Sequence, residues 1–259
     1  LNTSDEILSE ARQFYSELYT NDPCDNNTQD VFIDNIDSYL PENDIALCNT
    51  PLTLDDLKKS LFKMDNNKSP GSDGLTAEFY RSFFNRLGPI LLKIVNTIHD
   101  TGELPKTMSQ GIISLVPKKG DTSLLKNWRP ISLLNIDYKI ITKALANKMS
   151  KVIGNIVSPD QTCSVPGRDI SDNVLAMRDL VDFIEDKNLG GFLVKIDQEK
   201  AFDRVNHDYL FKVLRKFGFP DYFLKWIKIC YTSASSCVKI NNFLSEFFSN
   251  FKRNKTGMS

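Results

Sequence analysis

The sequence contains no apolar run approaching the roughly 20 residues that a membrane-spanning helix needs, which excludes a helical anchor of that kind. Its first residues, LNTSDEILSE, lack the basic-then-apolar layout of a secretory signal and begin with Leu1 rather than Met. The chain therefore reads as part of a longer polypeptide. Histidine is scarce: His99 and His207 stand far in sequence from the cysteines. Cys24, Cys48, Cys163, Cys230 and Cys237 include no Cys-x-x-Cys pair, which argues against a zinc site. An odd cysteine count without a secretory signal points to reduced thiols and an intracellular protein, nuclear or cytoplasmic. Internal repeats and low-complexity tracts are also lacking.

What is present is ordinary globular material. A hydrophobic content of 41% over 259 residues suffices for one large domain or two modest ones. The net charge of −1 conceals an asymmetry. Residues 1–50 hold eleven acidic side chains against Arg12 alone, whereas the rest holds 31 Lys or Arg against 22 Asp or Glu. The first fifty residues read as an acidic lead-in, and the remainder has a mild leaning toward polyanions.

Periodicity predicts a helix from about Asp5 to Tyr19, with Ile7, Leu8, Ala11, Phe14, Tyr15 and Leu18 on one face. NDPCDNNTQD reads as a loop. Thr53 is placed to cap the helix LTLDDLKKSLFKM, with Asp55 and Asp56 in its first turn. Residues 66–75, NNKSPGSDGL, are too rich in turn formers for regular structure. Helices follow over Thr76–Arg86 and Pro89–Asp100, then strands Gly111–Val116 and Ile131–Leu134, forming a hairpin with a basic connection. Helices are expected from Asp137 to about Ile156 and from Ser171 to Asp186. Gly190-Gly191 leads into an expected strand, Phe192–Ile196, with Asp197 at its carboxyl end. Helices near His207–Phe217 and Asp221–Tyr231, and a closing hairpin Cys237–Ile240/Phe243–Phe248, complete an α+β pattern.

The segment with most chemical content is VKIDQEKAFD, residues 194–203. A carboxylate after an apolar strand suits a hard cation such as Mg²⁺, although on its own such an Asp is more often a turn former or helix cap. The wider run LVKIDQEKAFDRVNHDYLFKVLRKFGF resembles the first catalytic palm motif of reverse transcriptases, in particular those of LINE-like, non-LTR retrotransposons. Three upstream blocks resemble the same family in the same order: NKSPGSDGLTAEFY, then SLVPKKGD with NWRPISLLNIDYKIITKALANKM, then SPDQTCSVPGRDISDN. The similarity covers roughly Pro51 to Phe248.

The resemblance implies a right-hand polymerase fold, truncated: helical fingers with a β-hairpin over residues 51–190, and an incomplete palm sheet from 191 to 259. It implies that Asp197 is the catalytic carboxylate that binds Mg²⁺ (or Mn²⁺), with the backbone carbonyl of Gln198 assisting. Phe202 matches the aromatic gate that leaves no room for a ribonucleotide 2′-OH, where the residues alone suggest a core aromatic. Lys118, Lys119 and Arg129 match positions that contact the incoming triphosphate, in keeping with the bidentate grip of Arg on phosphate. Lys68 and Ser69 match a loop near the RNA template, or form a plain surface loop. Arg168 belongs either to the template surface or to a pairing with Asp169 or Asp172. Trp128, His207 and Asp203 read as packing, helix-start and turn-anchoring residues.

By this resemblance the parent polypeptide is an RNA-directed DNA polymerase that copies retrotransposon RNA by two-metal nucleotidyl transfer. Its partners would be an RNA template, a DNA primer or target and dNTPs, with an upstream endonuclease domain in the same polypeptide. Two further carboxylates of the family, in a Tyr/Phe-x-Asp-Asp hairpin, are not in this sequence. The only Asp-Asp pair is Asp55-Asp56, on an expected helix. The chain alone is therefore expected to be inactive, and the alternative reading is an RNA-binding remnant without catalysis.

Overall fold

The computed structural model describes residues 3–19, 25–198, 200–232 and 234–249, and statements of absence below refer to these. Helix α1, Ser4–Leu18, opens with a reciprocal capping box. Thr3 Oγ1 accepts the Glu6 N–H, and the Glu6 carboxylate accepts the Thr3 N–H, both at 3.3 Å. The expected loop at 21–30 is partly corrected: residues 21–24 lie outside the described residues, but Asn26–Asp34 form helix α2. Asp25 accepts from the N–H groups of Asn27 and Thr28, so the polar cluster caps a helix instead of prolonging a loop. Helix α3, Glu42–Asn49, was not expected; it buries only Cys48 and so carries little periodic signal.

Helix α4, Leu54–Phe62, has the anticipated Thr53 cap, reinforced by Asp56. Asp55 and Asp56 thus serve the first turn of a helix. The two expected helices at 76–100 meet at Phe83 instead of Pro89: α5 spans Ala77–Ser82 and α6 spans Phe84–Thr101. The buried stripe Phe84, Gly88, Leu91, Val95, Ile98 runs through Pro89 and carries the helix across it. The short α7, Lys106–Ser109, leads into β1, Gln110–Pro117, and its partner β2, Trp128–Leu133. Then come α8, Ile136–Val152, α9, Ile170–Asp186, α10, His207–Lys216, and α11, Asp221–Thr232. Strands β3, Ser235–Ile240, β4, Phe243–Leu244, and β5, Phe248–Ser249, end the described chain.

The strand order is β2-β1-β3-β4, with β5 also pairing with β3. Strands β1 and β3 run parallel, with Ile113 opposite Val238. The closing hairpin, expected alongside the palm, therefore joins the sheet of the first hairpin. Its Asn241-Asn242 turn has φ of 48° and 67°, the two left-handed positions of a type I′ hairpin that asparagine tolerates.

One core unites α3, α4, α6, α8 and α11 around Leu57, Leu61, Val95, Ile140, Ile141 and Trp226. Burial of each such large side chain contributes about 1.5–3 kcal/mol. A second, smaller core forms where α1 lies on the sheet, from Ala11, Tyr15, Ile113, Val238 and Phe248. The acidic lead-in is thus structurally integrated through α1. Lys148, on α8, is only 5% exposed. Its ammonium donates to Thr50 O, Thr50 Oγ1 and Pro51 O, tying the α3–α4 connection to α8.

The expected strand Phe192–Ile196 does not form. Residues 190–198 are without regular structure, and Phe192 and Ile196 are 100% and 89% exposed. Helix α9 before it buries none of its side chains. Strand propensity takes effect only with a neighbour to pair with and a face to bury, and this segment has neither within the sheet.

Candidate nucleotide and nucleic-acid interface

The β1–β2 hairpin carries the first group of candidates. Arg129 pairs with Val116, and the ladder continues where the Lys118 N–H donates to Asn127 O at 2.7 Å. Lys118, one residue past β1, and Arg129, in β2, thus stand at the same end of the hairpin. Lys119 is exposed at its tip. Lys118 Nζ also reaches Lys126 O at 3.4 Å. Trp128 is a structural residue: its indole N–H donates to Thr122 O at 2.9 Å and braces the connection.

The loop 66–75 is held from both sides. The Asn67 N–H donates to the Glu78 carboxylate at 2.7 Å, and the Arg81 guanidinium donates to Met64 O, Asn66 Oδ1 and Leu61 O. At its far end the loop docks on Asn135, a buried residue between β2 and α8. The Ser72 hydroxyl and the Asp73 N–H donate to Asn135 Oδ1, and Asn135 Nδ2 donates to Thr107 O. Behind the loop, burial pushes the Asp137 carboxyl above the usual carboxylate range, and the nearby Asp73 adds to the rise. Lys68 is exposed and lies 3.7 Å from Asp65. Ser69 lines a groove of about 1260 Å³ that is also bordered by Thr122 to Lys126 and Trp128 of the hairpin and by Lys239 to Asn242. Ser69 and the hairpin thus share one depression.

Phe202 stands on a turn after Lys200 and is 97% exposed. With Tyr19, Asp203, His207, Tyr138 and Tyr231 it borders a cavity of about 440 Å³ against the sheet. His207, the first residue of α10, packs on Tyr231 with ring centroids 4.5 Å apart. Asp203 faces the end of α1: burial, then the Asp203 carboxylate, push the Tyr19 hydroxyl pKa up. Burial, with the Asp203 carboxylate nearby, pushes the Tyr15 hydroxyl up to about 12. This contribution of α1 escaped the sequence reading, where Phe14 and Tyr15 signalled only an apolar helix face.

Arg168 pairs with neither Asp169 nor Asp172. Its guanidinium donates to the carbonyls of Gly154, Val157, Ser158 and Gln161, gathering the chain that follows α8. Asp197 and Gln198 are exposed and border neither depression. The donors they offer, a carboxylate and a backbone carbonyl, are the hard oxygens that Mg²⁺ prefers, so they fit part of its coordination shell. No cluster of three or more His, Cys, Asp or Glu side chains is found among the described residues. No helix there is long and apolar enough to cross a membrane.

Residues 116–259 match the family model described as reverse transcriptase (RNA-dependent DNA polymerase). Over 241 residues the chain is 42% identical to the Transposon TX1 uncharacterized 149 kDa protein of Xenopus laevis, covering 93% of this chain and 18% of that protein. It is 26% identical to the retrovirus-related Pol polyprotein from the type-2 retrotransposable element R2DM of Drosophila melanogaster, over 76% of this chain and 18% of that protein. It is 28% identical to the RNA-directed DNA polymerase from mobile element jockey of Drosophila melanogaster, over 64% of this chain and 19% of that protein. The chain spans about a fifth of the length of these relatives. Mixed helices and sheet, ordered motifs and these matches define a nucleic-acid polymerase lineage. The chain belongs to the reverse transcriptase family, and the relatives named above come from a transposon, a retrotransposable element and a mobile element.

Proposed function

We propose that the chain forms the nucleotide- and template-binding front of an RNA-directed DNA polymerase from a non-LTR retrotransposon. The observation that carries this reading is the placing of Lys118 and Arg129 at the same end of the β1–β2 hairpin within a chain of this family. A fixed pair of cations at a hairpin end is suited to a triphosphate, because Arg grips phosphate through two hydrogen bonds and both cations offset its charge. Lys119 adds a third cation at the tip. Phe202 excludes the 2′-OH of a ribonucleotide, its ring leaving neither space nor a hydrogen bond for that group. Asp197 and the Gln198 carbonyl hold Mg²⁺, which when bound neutralises phosphate charge and activates the attacking hydroxyl. Ser69, in the groove it shares with the hairpin, and the neighbouring Lys68 follow the template backbone. Arg168 serves the template surface indirectly, by shaping the loop over residues 154–168. In domain terms residues 51–190 are fingers, 191–259 begin the palm, and 1–50 lead in from an upstream domain.

The test is binding of a fluorescent dNTP with Mg²⁺ to the purified chain. Arg129→Ala should weaken it by about 10- to 100-fold, the loss expected of charge-assisted hydrogen bonds. Asp197→Asn should abolish its Mg²⁺ dependence. Binding indifferent to both substitutions overturns the nucleotide reading. RNA binding with a steep salt dependence and no dNTP binding would support the remnant reading instead. With Asp197 as its one matched palm carboxylate, the isolated chain should not extend a primer.

A further inference from the structure

We propose that α1, which lies in the acidic lead-in and before the family-matched region, is a positioning element for the Phe202 turn. This inference rests on the reading of Phe202 as the gate against ribonucleotides.

Two contacts join α1 to the turn, and a third fixes the end of the helix to the sheet. Tyr19, at the end of α1, and Asp203 border the same small cavity, where burial and then the Asp203 carboxylate push the Tyr19 hydroxyl pKa up. Lys200 Nζ lies 4.7 Å from the centre of the Phe14 ring, within cation–π range. The Tyr19 ring stacks on Phe248 of β5 at 6.4 Å and an interplanar angle of 17°, so the helix end is itself fixed to the sheet.

The turn needs such support. Lys200 has φ of 52°, a left-handed conformation that residues with a side chain rarely adopt. Its carbonyl accepts the N–H groups of Asp203 and Arg204 at 2.9 and 3.1 Å, closing the turn. The Phe202 ring is nearly fully exposed and packs on little that fixes it. Its direction therefore depends on the backbone, and the backbone is held by Asp203 and Lys200 against α1. Tyr19 and Phe14 are positioning residues: they touch the turn and act through Phe202.

Both the mechanical and the functional link can be measured on the full chain. Tyr19→Phe removes one hydroxyl and keeps the ring on Phe248. Phe14→Leu removes the ring beneath Lys200 and keeps an apolar side chain. Each should speed hydrogen exchange at the Asp203 and Arg204 amides about tenfold, leaving the α6 and α8 amides unchanged as a control for folding. Each should also reduce the preference of the chain for dTTP over UTP, read as the ratio of their dissociation constants with Mg²⁺. Unchanged exchange at the turn overturns the proposal, as does faster exchange with an unchanged preference. Phe202→Ala separates the two readings. If it leaves the nucleotide preference untouched, the gate reading fails and selection through α1 fails with it, while exchange still decides whether α1 holds the turn.

Discussion

Two glycines three residues apart in the loop 66–75 should respond very differently to alanine. At Gly71 an added Cβ would lie 2.1 Å from Asn135 Oδ1, 2.4 Å from Asn135 N and 2.6 Å from the carbonyl carbon of Leu134. Two of these atoms are backbone at the β2–α8 junction and cannot rotate away. The protein escapes the clash only by lifting the loop, which forfeits the Ser72 and Asp73 hydrogen bonds to Asn135 and exposes a buried amide. At about 1 kcal/mol for each bond, plus the penalty for leaving Asn135 underpaired, Gly71→Ala should cost about 2–4 kcal/mol. Gly74 has φ of 73° with nothing within 4 Å of an added Cβ, so Gly74→Ala should cost only the left-handed backbone term, about 1–2 kcal/mol. Urea unfolding by circular dichroism gives both values. The double variant Gly71→Ala/Asn135→Ala removes the closest clash but leaves both backbone clashes, so it should remain destabilised. Recovery to the stability of Asn135→Ala alone would refute the assignment of the clash to backbone, and equal costs at the two glycines would refute the steric argument altogether.

Other perturbations test separate parts of the molecule. Arg168→Lys keeps the charge but cannot span four carbonyls, so it should lower stability by about 1–3 kcal/mol while the salt dependence of RNA binding stays unchanged. His99 stacks on Tyr222 at 4.2 Å and near Trp226 at 5.6 Å, and burial, then Lys225, hold its pKa below the ordinary 6.5. The unfolded chain then binds more protons than the folded one, so stability should fall as pH drops below 6.5 and level off below the folded pKa. Urea midpoints at pH 7.5 and 5.5 measure this slope, which His99→Gln should flatten. Replacing Asn241 and Asn242 together by alanine should destabilise by about 2–4 kcal/mol through their two left-handed positions, whereas Asn242→Gly should be neutral or stabilising in thermal unfolding.

The amino-acid sequence by itself determined what local chemistry decides. Thr53 and Asp56 had to cap α4, because hydroxyl and carboxylate at that spacing satisfy each other's backbone donors. The β-branched apolar run Gly111–Val116 and the Asn-Asn pair marked their hairpins. The ordered motifs assigned the family. What depended on partners distant in sequence was not legible. Parallel pairing of β1 with β3 joins residues more than a hundred positions apart, and no local pattern encodes which edge is free. The apolar run at 192–196 has strand chemistry without a ladder to enter, so propensity alone misjudged it. Arg168 was read by its charge, yet its surroundings are carbonyls gathered by the turn of the chain after α8. The hold of α1 on the Phe202 turn likewise arises only when the small core seats that helix on the sheet, because the contact of Phe14 with Lys200 spans a distance in sequence that only tertiary packing can close.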